Sequence, residues 1–143
     1  MKYKKVRPDA KAPVYGSQDA AGADLYACSA DEITIKAGET VMVPTGIAVA
    51  IPQGYVGLVF ARSNLGIKRG LAPANKVGVI DADYRGEIMV GLHNHSGIDQ
   101  TIAPYERVAQ MAIVPFLQVS YEESDNLDET ERGTGGFGST GTN

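Results

Sequence analysis

Residues 40–51 read TVMVPTGIAVAI, and the fold is decided here. Thr40, Val41, Val43, Ile47, Val49 and Ile51 are β-branched, and such side chains fit a pleated surface better than a helix. Pro44-Thr45-Gly46 interrupts the run, because proline lacks an N–H for a ladder and glycine marks a turn. The stretch therefore predicts two short strands with a break between them. A short strand cannot bury its apolar face alone, so it implies many partners. The partners are in the chain: Glu32–Ile35 alternates, and Tyr55–Phe60, Glu87–His93 and Val108–Val114 continue the pattern. Seventeen glycines and seven prolines supply the turns between them. One or two helical turns fit around Asn64–Gly70, hemmed in by Gly66 and Gly70. With no βαβ alternation and no internal repeat, the reading is all-β, a closed or sandwiched antiparallel fold.

At 143 residues the chain is one domain with room for a core of its own. A net charge of −4 argues against nonspecific binding to nucleic acid or to an anionic membrane surface. No apolar run approaches membrane-spanning length. The N-terminal stretch is basic but has no apolar segment of the secretory kind. A single cysteine, Cys28, makes no intrachain disulfide and suits a reducing cytoplasm. From Tyr121 the chain turns acidic and then rich in Gly, Ser and Thr, which cannot offset its ordering entropy by burial. The expected division is a β domain over residues 1–119 and a flexible C-terminal arm over 120–143.

Five stretches carry polar or glycine residues where a plain β fold needs none. In AGADLYA (21–27), Asp24 among small residues reads either as a strand-end turn or as a carboxylate facing a metal or its waters. In ARSNLGIKRG (61–70), Arg62 and Ser63 follow a strand and open a helical turn, which makes either a phosphate cradle or a plain helix cap. In GVIDADYRGE (78–87), Asp81 and Asp83 would share a strand face beside Tyr84. A partly desolvated Asp81 suits a general base, and the same letters also spell an ordinary turn. In ERVAQM (106–111), alternation places Gln110 on the face opposite Arg107, and a polar side chain there needs a partner. In RGTGGFGSTG (132–141) the formal G-x-G-x-x-G fails for want of a strand before and a helix after it. Such an arm either stays disordered or folds over a ligand with its backbone N–H groups. His93 and His95 have no third ligand nearby, and Cys28 has no base beside it, so neither reads as a site.

Taken in order, these five stretches resemble the five motifs of the trimeric dUTPase family over about residues 20–141. The resemblance implies a jelly-roll-like subunit, a homotrimer, and active sites shared between subunits under the C-terminal arm. It implies hydrolysis of dUTP to dUMP and pyrophosphate with Mg²⁺. Asp81 resembles the general base that activates the water attacking the α-phosphorus. Tyr84 resembles the ring that packs under deoxyribose and excludes a 2′-hydroxyl. Asn75 and the backbone of Gly78, Val79 and Ile80 resemble a hairpin that reads uracil, and Met89 lines the same pocket where many relatives carry Lys. Arg62, Ser63, Asn64 and Gln110 resemble phosphate contacts, and Asp24 resembles the carboxylate that holds Mg²⁺ through water. In the arm, Arg132, Ser139 and Thr140 would clasp the terminal phosphates beside Gly138, with Phe137 stacked on uracil.

The pattern departs at Ala61 for the usual Pro, at Asn64 for the usual Gly or Ser, and at Tyr105-Glu106 for the usual Gly and acidic pair. The last is expected to reshape a turn without touching chemistry. Two other readings share the fold: a dCTP deaminase, alone or combined with the triphosphatase, and a non-enzymatic regulatory binding protein. The deaminase usually lacks the glycine-rich arm, and intact Asp81, Tyr84 and Phe137 favour hydrolysis.

Overall fold

The computed structural model describes residues 1–136. Its strands are short, as the spacing of glycine and proline dictates: β1 (Lys2–Lys5), β2 (Val14–Tyr15), β3 (Ala23–Tyr26), β4 (Ile33–Ile35), β5 (Thr40–Pro44) and β6 (Ile47–Ala50). They continue as β7 (Tyr55–Phe60), β8 (Leu71–Pro73), β9 (Gly78–Ile80), β10 (Met89–Asn94), β11 (Gln100–Ile102) and β12 (Arg107–Pro115). The helical piece is a π-helical turn, Asn64–Lys68. Among the described residues no helix is long and apolar enough to cross a membrane.

The strands pair antiparallel in four sheets, ordered β1-β6, β5-β10-β8, β11-β4 and β2-β3-β12-β7-β9. These sheets are open. The strands end at turns before a ladder can run around the molecule, so the fold is packed sheets and not the closed barrel that the turn spacing also allowed. The break at Pro44-Thr45-Gly46 moves the chain between sheets, since β5 joins β10 while β6 joins β1. Gly46 takes φ +71°, and a Cβ there would lie 2.6 Å from Ala10 Cβ and 2.8 Å from Cys28 Sγ. Glycine is therefore required twice over, for the left-handed backbone and for the close approach.

Both strands of that stretch feed the core, where Leu25, Ile35, Val43, Ile47, Leu92 and Met111 are each at most 2% exposed. Each such side chain contributes roughly 1.5–3 kcal/mol through removal from water. Cys28 belongs to this cluster, and burial pushes its thiol up from the ordinary range. Asn94 is fully buried and fully bonded, donating to Ile35 O and Ile98 O and accepting from Ser96 N and Oγ.

β12 organises the large sheet, because it lies between β3 and β7. Gln110 faces Asp24 on one side and Phe60 on the other. Towards its start the register slips, with Ala109 opposite Leu25 but Arg107 opposite Tyr26. This β-bulge puts one extra residue on β12 and re-aims the side chain before it. Beyond Pro115 there is no further strand among the described residues, and Val114 to Thr134 are all exposed.

Candidate active site

The residues singled out in the sequence line two clefts that have no lining residue in common. The first has a volume of about 200 Å³ and is lined by Asp24, Arg62, Ser63, Arg107, Gln110 and the glycine-rich approach to β3. Asp24 is 7% exposed and held from two sides: Arg62 Nε donates to Oδ1 at 2.7 Å and Arg107 Nη1 to Oδ2 at 3.1 Å. A carboxylate so placed fixes two guanidiniums while occupying one nitrogen of each. Among the described residues those are the side-chain hydrogen bonds the two arginines make, and both arginines line the cleft. The Ser63 hydroxyl makes no capping bond, which removes the plain helix-cap reading for it. Gln110 Nε2 donates to Ala61 O at 3.0 Å and leaves its carbonyl towards Gly22. A Cβ at Gly22 would stand 3.0 Å from that oxygen, so the glycine of AGADLYA makes room for Gln110.

Arg107 is the site residue that sequence reasoning misplaced. Strict alternation sets it opposite Gln110, and the bulge brings the two onto one cleft. The letters ERVAQM carry no sign of the bulge, since Val108 is an ordinary strand residue. Upstream lies the turn at Tyr105. Tyr105 keeps φ +55°, a left-handed backbone that glycine adopts freely and tyrosine adopts under strain. Glu106 N closes the turn onto Ala103 O at 3.1 Å.

The second cleft lies between the sheets containing β9 and β10 and has two lobes. One, of about 320 Å³, is lined by Met42, Val59, Asn75, Gly78, Val79 and Met89 among others. The other, of about 180 Å³, adds Asp81, Tyr84 and Glu87, with Val79, Ile80 and Met89 common to both. The larger lobe is lined mostly by apolar side chains and backbone, and the smaller one carries the polar groups. Asn75 sits on the connection between β8 and β9, which belong to different sheets. The stretch is thus a crossover between sheets and not the β-paired hairpin that the family resemblance implies. It is tightly turned, with Lys76 at φ +65° and Val77 N on Asn75 O at 2.7 Å.

Asp81 and Asp83 do not share a strand face. β9 stops at Ile80, and Tyr84 N donates to Asp81 O at 3.2 Å to close a turn. Asp81 is exposed, so its own chain does not desolvate it as the preceding Val79-Ile80 pair suggested. Tyr84 Oη donates to Glu87 O at 2.9 Å, which lays the ring along the turn.

One chain does not bring the two clefts together. Ile80 stands opposite Gly57 on β7, whereas Arg62 follows the far end of that strand. Five residues of extended chain span about 16 Å. Arg132 lies in an exposed turn with Nε on Gly135 O at 3.0 Å, away from both clefts. Phe137, Gly138, Ser139 and Thr140 lie outside the described residues. Among the described residues no group of three His, Cys, Asp or Glu could hold a metal, and His93 instead meets Thr40 Oγ1 at 2.9 Å.

A guanidinium cradle thus lies on one edge of this all-β fold, and an exposed carboxylate lies beside a second cleft on another. Comparison with known proteins is specific. The dUTPase family model matches residues 8–141. The deoxyuridine 5'-triphosphate nucleotidohydrolase of Syntrophotalea carbinolica is 46% identical over 141 residues, 99% of this chain and 96% of the relative. That of Rickettsia felis is 49% identical over 129 residues, 90% of this chain and 87% of the relative. The solved dUTPase of Staphylococcus bacteriophage 80alpha with dUpNHpp aligns with a TM-score of 0.89 at 27% identity, over 99% of this chain and 98% of that one. The chain belongs to the dUTPase family.

Proposed function

We propose that the protein hydrolyses dUTP to dUMP and pyrophosphate, keeping uracil out of DNA and supplying dUMP for dTMP synthesis. The observation that carries this reading is the exposed carboxylate of Asp81 lining the smaller lobe of the second cleft, with the pinned Tyr84 ring beside it. Uracil enters between Asn75, Met89 and the backbone of Gly78–Ile80, where fixed N–H and C=O groups discriminate it from cytosine. A cytosine would leave buried groups unpaired, which costs a few kcal/mol. Asp81 accepts the proton of a water directed at the α-phosphorus. Arg62, Ser63, Asn64 and Gln110 hold the triphosphate, with Arg107 fixing Asp24 and Arg62 in register.

Mg²⁺ fits the cradle through water. Each Asp24 oxygen accepts one guanidinium N–H, which leaves lone pairs for a metal-bound water, and Mg²⁺ keeps several waters when it arrives on phosphates. When bound, it neutralises triphosphate charge.

Because the clefts are about five residues of β7 apart, the complete site takes one cleft from each of two subunits. The homotrimer supplies that arrangement and covers Phe116, Leu117, Val119 and Tyr121, which a single chain leaves exposed. The arm from residue 120 then reaches across with Arg132, Ser139 and Thr140 for phosphate and Phe137 for the base. A cytoplasmic location follows from the unpaired Cys28 and the substrate.

The test is pyrophosphate release from dUTP, dCTP, dTTP and UTP, each with Mg²⁺ and with EDTA. Release from dUTP alone, lost in EDTA, is expected. Ammonia from dCTP would instead mark a deaminase, and silence on all four a binding protein.

A further inference from the structure

The turn after β9 contains a glycine whose backbone does not need to be one. Gly86 lacks the positive φ that Gly46 and Gly70 have, so alanine fits its backbone without strain. Its space is another matter. A Cβ at Gly86 would lie 2.4 Å from Tyr84 Oη and 2.6 Å from Tyr84 Cζ, closer than any real contact. The ring rests directly on the glycine. Its hydroxyl is tied to Glu87 O at 2.9 Å, and Glu87 is anchored in turn. Arg7 donates to the Glu87 carboxylate from Nε at 2.8 Å and Nη2 at 3.2 Å, and Gly46 N donates to it at 2.8 Å.

We propose that Gly86 is a specificity-determining position: as a bare platform held by the Arg7–Glu87–Gly46 anchor, it sets the height of the Tyr84 ring and hence whether a ribose 2′-hydroxyl fits. This rests on the proposed hydrolysis of dUTP. Gly86 does not line the lobe and acts only through Tyr84, whereas Glu87 lines the lobe and holds the ring through its backbone oxygen. Any side chain at 86 must lift the ring or break its hydroxyl bond to Glu87, and either changes the floor under the sugar without touching Asp81 or the phosphate cradle.

The experiment measures kcat/KM for dUTP and for UTP, with melting temperature, for the parent chain, Gly86→Ala, Tyr84→Ala and the double variant. Gly86→Ala is expected to narrow the dUTP preference by roughly tenfold or more, the scale at which a pocket senses a displaced group. In the Tyr84→Ala background the same change is expected to be silent, because the ring it displaces is gone. Glu87→Gln leaves the platform and loosens the anchor, so it narrows the preference less. An unchanged preference in Gly86→Ala, or an equal loss with and without the ring, overturns the proposal. A parent chain that does not prefer dUTP to UTP overturns the functional reading itself, before any variant is compared.

Discussion

Asp24 and Asp81 are two carboxylates of one sheet with opposite circumstances. Asp24 is buried in mid-strand, bonded to a guanidinium through each oxygen. Asp81 stands exposed at a strand end, and among the described residues its side chain has no hydrogen bond or ion pair. A carboxylate already committed to two cations organises a binding surface, while one left open to water can take a proton from it. The chain spends structure on the first and leaves the second free, so the two should fail in different ways when neutralised.

The largest effect is expected at Asp81. Asp81→Asn should lower turnover of dUTP by about 10³-fold, within the range of general-base catalysis. Its stability should stay within about 0.5 kcal/mol of the parent, as for exposed substitutions. Single-turnover kinetics and a urea melt check both halves, and near-parental turnover would remove Asp81 from the base role.

Asp24→Asn is expected to cost stability that Asp81→Asn does not. It leaves Arg62 and Arg107 facing each other without their shared counter-charge. Breaking a fully buried pair costs about 3–5 kcal/mol, and the exposure of Arg107 reduces this to about 2 kcal/mol. A urea midpoint near that of Asp81→Asn would dissolve the contrast between the two carboxylates.

How much of this was legible follows the same division. Tyr55–Phe60 is a strand over the residues its letters predict, and TVMVPTGIAVAI breaks within the expected Pro-Thr-Gly, at Thr45-Gly46 after Pro44 closes β5, because β-branching and glycine act locally. The turn over Asn64–Lys68 likewise falls where Gly66 and Gly70 confine it. β1 went unread, since Lys2–Lys5 has no apolar face and forms a strand only because β6 offers an edge. Arg107 was misplaced because a bulge belongs to a pair of strands and cannot be read from one of them. Asp81 was expected to be desolvated by its sequence neighbours, but exposure depends on what lies across the turn. Local chemistry was legible; whatever needs a second strand or a second chain was not.

Acid sharpens the comparison on the Asp81 side. The hydrogen bond from Arg7 holds the Glu87 carboxyl below its ordinary value, helped by Gly46 N–H and opposed by burial. A group depressed in the folded state adds stability above its unfolded value, about pH 4.3, and loses it as pH falls through the folded one. Glu87→Gln should therefore melt below the parent at pH 7, with the gap closing as pH falls below about 4.3. A gap that stays constant over that range would mean the anchor of the Tyr84 turn does not depend on its charge.

The smallest effect concerns the entry to the Asp24 side. Tyr105 sits at φ +55° two residues before Arg107, where the family pattern has glycine, with Lys11 Nζ 5.3 Å from its ring. The left-handed backbone costs about 1–2 kcal/mol for a residue with a Cβ, while glycine ordinarily loses about 0.5–1 kcal/mol to alanine through chain entropy. The strain is the larger of the two, so the usual order should invert. Tyr105→Gly should be more stable than Tyr105→Ala by roughly 0.5–1 kcal/mol, although both lose the Lys11 contact equally. That difference is a rise of about 1–4 °C in Tm for a chain of this size. Calorimetry of the two variants isolates the strain, because they differ only in the Cβ. If alanine proves the more stable, the turn relaxes when the ring is removed. The aim of Arg107 at Asp24 would then depend on the bulge alone.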